Sequence, residues 1–384
     1  MSVTAARGFT AAGVAAGIKS NGALDLALVV NHGPRRAAAG VFTANRVQAA
    51  PVRWSRRVLH AGEADAVVLN SGGANACTGP EGYEDTRTTA RAVAEALGLA
   101  HADRVAVAST GLIGVRLPMD AVTDGVVKAA AGLTEHGGED AAIAIKTTDT
   151  VHKTAVVTRD GWTVGGMAKG AGMLAPGLAT MLAVLTTDAD VAPAALDRAL
   201  RGATRLTFDR VDSDGCTSTN DTVLLLASGD AETTPDEAEF ARAVHDVCAE
   251  LARQLVGDAE GASKDIRIEV TGAASDDDAV DVARAIARNN LLKCAVHGED
   301  PNWGRVLAAV GTTSAAFEPD RIDVAINGVT VCRAGSLGED RDLVDMTGRE
   351  VHITVRLAAG DHSAVVWTND LTAEYVHENS EYSS

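Results

Sequence analysis

Ile266, Ile268 and Val270 alternate with Arg267 and Glu269, a period of two that predicts a strand with one face in water. Val351, Ile353, Val355 and Leu357 alternate in the same way, and 364–367 is expected to pair with them across Gly360-Asp361. Phe240, Val244, Val247, Cys248, Leu251 and Leu255 instead fall on one stripe at helical spacing. They predict a helix over 235–256, capped by Thr234, with Pro235 in first position and Glu237 completing a capping box. Cys248 in that stripe reads as inert packing. Ser275 and Asp278 mark the start of a further helix running to about Arg288.

Earlier in the chain, residues 24–31 read as a strand and 36–43 as its hairpin partner, with Gly33-Pro34 in the turn. Asp65–Leu69 is a strand that runs into a polar loop of small residues, 70–79, followed by a helix from Tyr83 to Leu97 with Gly98 as its cap. Arg104–Ala108 is a buried strand ending in a loop, Ser109-Thr110-Gly111-Leu112-Ile113-Gly114. Helices follow over 118–131 and 138–146, the second leading into Thr147-Thr148-Asp149-Thr150. Residues 153–158 and 162–167 form a hairpin closed at Asp160-Gly161. Strands and helices alternate unevenly, with hairpins between. The pattern predicts a layered α/β or α+β fold with mixed sheets, not a doubly wound parallel one.

The stretch from Gly165 to Asp188 changes character at Thr180. Before it come glycines, small residues and Pro176, which is loop chemistry; after it, Met181–Leu185 is an apolar run that fits a buried strand. The plain reading is a strand that begins with a threonine. The chemical reading is a nucleophile that first cuts its own chain. Its hydroxyl attacks the carbonyl of Ala179, the ester is hydrolysed, and the freed amine of Thr180 becomes a general base for its own hydroxyl.

Composition narrows the choices. The chain has 384 residues, 46% of them hydrophobic and 22% charged, ordinary for a globular protein. A formal net charge of −18 argues against a nucleic-acid partner and an anionic membrane. No apolar run has the length of a membrane span, and Met1–Arg7 lacks the apolar core of a signal peptide. Five cysteines are scattered, with no C-x-x-C spacing, so the expectation is a cytoplasmic protein with reduced thiols. His297-Gly298-Glu299-Asp300-Pro301-Asn302-Trp303-Gly304-Arg305 is crowded into a proline-containing turn and reads as structure rather than as a metal site. The G-x-S-x-G, H-E-x-x-H and Walker signatures are absent.

Lys169-Gly-Ala-Gly-Met-Leu-Ala-Pro-Gly-Leu-Ala-Thr180-Met-Leu resembles the autoprocessing site of the ArgJ family, the glutamate N-acetyltransferases also called ornithine acetyltransferases. The resemblance runs from Arg7-Gly8-Phe9 to the tail Glu378-Asn379-Ser380-Glu381-Tyr382-Ser383-Ser384. It implies the ArgJ/DmpA-like layered fold. It also implies self-cleavage between Ala179 and Thr180 into an α chain, 1–179, and a β chain, 180–384, packed together as α2β2. The implied reaction moves an acetyl group from N2-acetyl-L-ornithine to L-glutamate through Thr180, without metal or cofactor.

By the same resemblance Thr110 and Gly111 form the oxyanion hole. Thr147, Lys169, Thr180, Glu260, Asn379 and Ser384 bind substrate, and the tail folds into the site. Read without it, Lys169 is a solvent-facing lysine and Glu260 a partly solvated loop glutamate. Several alternatives stay open: acetyl-CoA as an additional donor, a sibling amidohydrolase or aminopeptidase of the same fold, a paralogue of a secondary pathway, and a non-enzymatic binding protein.

Overall fold

The computed structural model describes residues 2–175 and 181–381. The chain forms two compact units, one comprising the chain up to Asp209 together with Cys216–Asp258, the other Arg210–Gly215 with the chain from Ala259 onward.

The first unit contains, among the described residues, two sheets. One has the order β1 (Phe9–Val14), β2 (Leu26–Asn31), β4 (Ala66–Gly73), β5 (Val105–Leu112). The other has the order β3 (Ala37–Phe42), β9 (Thr222–Ala227), β8 (Leu182–Thr187), β7 (Trp162–Lys169), β6 (Lys153–Arg159). Both are mixed: β4 pairs β5 in parallel and β8 pairs β9 in parallel, while the remaining neighbours are antiparallel.

Successive side chains of a strand point to opposite faces, and here both faces are buried. Ala27, Val29, Val67, Leu69, Ala106 and Ala108 share a core with Met167, Leu182, Val184, Leu224 and Leu226, so the two sheets pack face to face. Leu26, Leu28, Val68, Val105 and Val107 face the other way. They meet α1 (Ala50–Val58), α2 (Gly79–Leu97) and α3 (Met119–Ala131) through Trp54, Val93 and Val126. The short α4 (Gly138–Ala144) closes one end against β1 and β2. The outer face of the second sheet carries α5 (Pro193–Leu206) on β3 and α6 (Glu237–Gly257) on β6 and β7. The result is a four-layer α–β–β–α stack. Burial on both faces is why β2, β8 and β9 read as continuous apolar runs.

The second unit is a six-stranded sheet of order β13 (Ser336–Leu337), β12 (Val329–Arg333), β11 (Asp323–Ile326), β14 (Glu350–Arg356), β10 (Asp265–Ala273), β15 (His362–Asn369). It is backed by α7 (Asp276–Ala287) and α9 (Trp303–Val310); α8 (Asn290–His297) precedes α9, and α10 (Ala373–Glu381) follows the last strand.

The helix stripe of α6 is buried as its spacing requires, and the N-cap of α7 is Ser275, whose side chain accepts from the Asp278 N–H. The β6–β7 hairpin closes at Asp160-Gly161, and Gly98 caps α2 with φ 67°. Burial pushes the Cys248 thiol up, in keeping with inert packing.

Other expectations are corrected. Strand 24–31 does not pair with 36–43. Asn31 donates its side-chain N–H to Arg35 O and Ala227 O, and the chain crosses there from the first sheet to the second. The expected loops 70–79 and 109–114 begin later, because β4 continues to Gly73 and β5 to Leu112 in parallel register. The strand expected over 162–167 runs on to Lys169, so the stretch before Thr180 is strand, not loop, as far as Lys169. Gly165 is needed there because a Cβ would lie 2.3 Å from Ser2 O. The helix expected over 138–146 stops at Ala144.

Helix α6 is capped by Asp236, which accepts from the N–H groups of Ala238 and Glu239, rather than by Thr234; Pro235 lies outside it, and Glu237 pairs with Arg198 instead of forming a capping box. Finally, 351–357 and 364–367 are not neighbours. β10 lies between them, parallel to β14 and antiparallel to β15, and the Gly360 connection crosses its end.

Candidate active site

Strands β5 and β7 belong to facing sheets, and the site lies where their ends meet. Thr110 and Gly111 close β5. Gly111 has φ 131°, and a Cβ there would stand 2.5 Å from Gly73 N. The close backbone of β4 therefore demands glycine. Thr110 is buried, with its hydroxyl 3.5 Å from Lys169 Nζ.

Lys169 is the last residue of β7 and is 1% exposed, so the solvent-facing reading of it is wrong. Its ammonium donates to Thr147 Oγ1 at 2.7 Å and stands 3.9 Å from Asp149 Oδ2. Thr147 and Asp149 come from the loop after α4. The Asp149 carboxylate accepts from Lys153 Nζ at 2.7 Å, from Gly170 N–H at 2.6 Å and from Thr147 N–H at 3.0 Å. Lys153 is itself fully buried and also bonds Asp258, just past the end of α6. Burial alone would raise the Asp149 carboxyl. Lys169, Lys153 and the Gly170 N–H outweigh it and hold the group well below the usual carboxylate range.

A second buried acid, Asp221, immediately precedes β9. Asp221 Oδ1 accepts from Met181 N–H at 3.1 Å, while Oδ2 has no hydrogen-bond partner among the described residues. Burial pushes this carboxyl well above its ordinary value, despite the Met181 N–H and Lys169. Its neighbour Asn220 donates to Ala74 O and Ser109 O, tying the ends of β4 and β5 to the start of β9.

In the second unit Asn379, on α10, donates to Glu260 Oε2 at 3.0 Å. Gly261 permits this approach, because a Cβ would lie 2.2 Å from Tyr375 N. Thr372 bridges Gly261 O and Tyr375 N–H, fixing the first turn of α10 beside Glu260.

The expected residues thus form two groups, Thr110, Gly111, Thr147 and Lys169 in one unit, Glu260 and Asn379 in the other. Ala179, Thr180 and Ser384 lie outside the described residues. Reading the sequence missed Asp149, Lys153, Asp258 and Asp221. Asp149, two positions after Thr147, was the nearest to a signal. The His297–Arg305 turn holds His297 against Asp370 at 3.0 Å and Arg341 against Asp300. Among the described residues no group of three or more His, Cys, Asp or Glu side chains is placed to hold a metal, and no helix is long and apolar enough to cross a membrane.

Fold and site together define a layered α/β protein with a buried polar cluster centred on Lys169. The chain belongs to the ArgJ family, whose model matches residues 10–384. It is 74% identical, over the full length of both chains, to the arginine biosynthesis bifunctional protein ArgJ of Streptomyces avermitilis. To the protein of the same name from Mycobacterium leprae it is 60% identical, covering all of this chain and 96% of that one. A crystal structure of ornithine acetyltransferase complexed with ornithine, from Mycobacterium tuberculosis, is 57% identical and covers 47% of this chain and 96% of its own, with a TM-score of 0.45.

Proposed function

We propose that this protein is an arginine-biosynthesis acetyltransferase that moves the acetyl group of N2-acetyl-L-ornithine to L-glutamate. The observation that carries the reading is the buried ammonium of Lys169 beside the hydroxyls of Thr147 and Thr110, in a chain matched along its length by the ArgJ family. Donor and acceptor each present an α-carboxylate, and a buried cation flanked by hydroxyl donors is chemistry that can hold it.

The chain first cuts itself. Thr180 Oγ attacks the Ala179 carbonyl, the peptide C–N bond breaks, and water hydrolyses the ester, leaving an α chain, 1–179, and a β chain, 180–384. The antiparallel ladder from Val164↔Thr187 to Lys169↔Leu182 supports their staying together, because it joins strands on either side of the cut. The assembly is α2β2, and it works in the cytoplasm.

In turnover, the freed Thr180 amine takes the hydroxyl proton as Oγ attacks the acetyl carbonyl. Thr110 and Gly111 donate to the oxyanion, the C–N bond of acetylornithine breaks, and the proton passes to the departing amine. The glutamate amine then attacks the acetyl ester and regenerates Thr180. Lys169 is the cation for the α-carboxylate of each substrate, Glu260 offers a charge for the distal amine of ornithine, and Thr147, Asn379 and Ser384 are further substrate-binding residues on the same reading. The curated relatives are named bifunctional, and acetyl-CoA is proposed as a second donor to the same hydroxyl.

Initial rates with both substrates varied are expected to give parallel reciprocal plots. Protein incubated with acetylornithine alone should gain one acetyl group on the fragment beginning at Thr180, lost when glutamate is added. Intersecting plots, with no acetylated fragment in a rapidly quenched sample, would refute the double displacement. Acetate release unaffected by glutamate would point instead to a hydrolase of the same fold. Formation of N-acetylglutamate from acetyl-CoA and glutamate, without acetylornithine, tests the second donor.

A further inference from the structure

Four charged groups stand in a buried row of alternating sign: Asp258, Lys153, Asp149, Lys169. Lys153, Asp149 and Lys169 are each at most 6% exposed. Isolated charges at such positions would be very costly, so each must be answered by its neighbour. The row is not symmetrical about Asp149. Its carboxylate spends hydrogen bonds on Lys153, on the Gly170 N–H and on the Thr147 N–H, and it remains 3.9 Å from Lys169 Nζ, too far for a hydrogen bond. Lys169 donates a 2.7 Å bond to the neutral hydroxyl of Thr147. One carboxylate therefore does two things. It pins the loop carrying Thr147 to the chain just after β7, and it lends Lys169 a negative neighbour at 3.9 Å.

From this we infer that Asp149 is a positioning residue for substrate binding, keeping Lys169 charged and aligned with Thr147 for an α-carboxylate. The inference rests on reading Lys169 as the cation that holds that carboxylate. Other charges around the pair come from several elements. Lys19 and Asp25 belong to the turn before β2, Lys146 to the end of the α4 loop, and Asp221 to the start of β9. Lys19 Nζ donates to Leu24 O and Lys146 O, and Lys146 Nζ to Thr150 O. Lys19 faces Asp149 as well as Lys169, so the comparison is repeated in a Lys19→Met background, where the same pH dependence must persist for it to be assigned to Lys169.

The test measures Kd for L-ornithine by calorimetry, and KM and kcat for acetylornithine and glutamate, from pH 6 to 9, on the full assembled enzyme. Asp149→Asn keeps the size and removes the charge. The ratio of variant to wild-type Kd should rise with pH, from about threefold near pH 6 to roughly thirtyfold near pH 9. KM should rise for both substrates while kcat at saturation changes by less than about threefold. A ratio that does not vary with pH, or a fall in kcat at unchanged KM, overturns the inference.

Should Asp149→Asn fail to fold, Lys153→Met decides. Removing the competing cation must move the alkaline loss of ornithine affinity to higher pH, and a shift the other way or none overturns the inference. A chain that tolerates neither change assigns the row to folding alone and overturns it too. Lys169→Gln separates the two levels. If it leaves Kd unchanged, the reading of Lys169 falls; if it weakens binding and Asp149→Asn does not, only the role of Asp149 falls.

Discussion

The sharpest test of the oxyanion assignment is Thr110→Ala. Thr110 is 2% exposed at the end of β5 and pairs in register with Ser71 of β4. Lys169 Nζ stands 3.5 Å from its hydroxyl oxygen. A hydroxyl that accepts from an ammonium must turn its own proton elsewhere, so the cation orients Thr110 as a donor and strengthens it. Alanine deletes that donor and leaves the strand backbone intact. Loss of one oxyanion donor costs about 2.7–4 kcal/mol of transition-state stabilisation, a drop of roughly 10²–10³ in kcat. Losing a buried methyl costs a further ~1 kcal/mol of stability, too little to unfold a domain of this size. Thr110→Val should be as slow as alanine although it keeps the shape, and Thr110→Ser should recover to within about tenfold of wild type. The assay is steady-state kinetics with both substrates, together with the melting temperature of each variant. If KM rises and kcat does not, or if valine works as well as serine, Thr110 binds the ground state and the oxyanion assignment is wrong.

Thr180→Ala should give a single uncut chain on a denaturing gel, whereas wild type gives two; wild-type protein that stays whole and fully active would remove the nucleophile. Gly111→Ala should lose activity and at least about 2 kcal/mol of stability, since it combines a positive φ with a backbone clash against Gly73; unaltered melting would contradict the close approach of β4. Asp221, its carboxyl raised by burial, should make wild type lose stability as pH climbs from the ordinary carboxylate range towards the folded-state value, because the folded state holds the proton longer. Asp221→Asn, permanently neutral, should match wild type near pH 4.5 and melt no lower at pH 8; equal destabilisation at both would show a purely structural role.

Much of the local structure was legible because periodicity reports which face of an element is buried. The stripe of α6, the Ser275 cap of α7 and the β6–β7 hairpin follow from spacing and capping chemistry alone. Periodicity does not report partners. β2 and β3 are joined by a five-residue connection that looks like a hairpin, yet they enter different sheets; β14 and β15 are likewise consecutive, with β10 between them. The cap of α6 was ambiguous because Thr234 and Asp236 can both cap, and the pairing of Glu237 with Arg198 belongs to tertiary structure. The candidate site was legible through its motifs, but not its charge balance. Lys169 sits among small apolar residues and is buried only because Thr110, Thr147 and Asp149, from distant parts of the chain, meet at the end of its strand.

The β7–β8 pair also bears on why a cut between 179 and 180 suits this fold. β7 ends at Lys169 and β8 begins at Leu182, and these two residues pair with each other, so the connection leaves and returns at the same end of one ladder. Met181, immediately before β8, is fixed on both sides: its N–H is held by Asp221 Oδ1 and its carbonyl by the Thr222 N–H. Breaking the peptide bond before residue 180 would therefore remove no rung of the sheet. The first described residue after that bond, Met181, is buried and held at both its N–H and its carbonyl. The cut that the proposed reaction needs would thus leave the β7–β8 ladder and the two hydrogen bonds of Met181 in place.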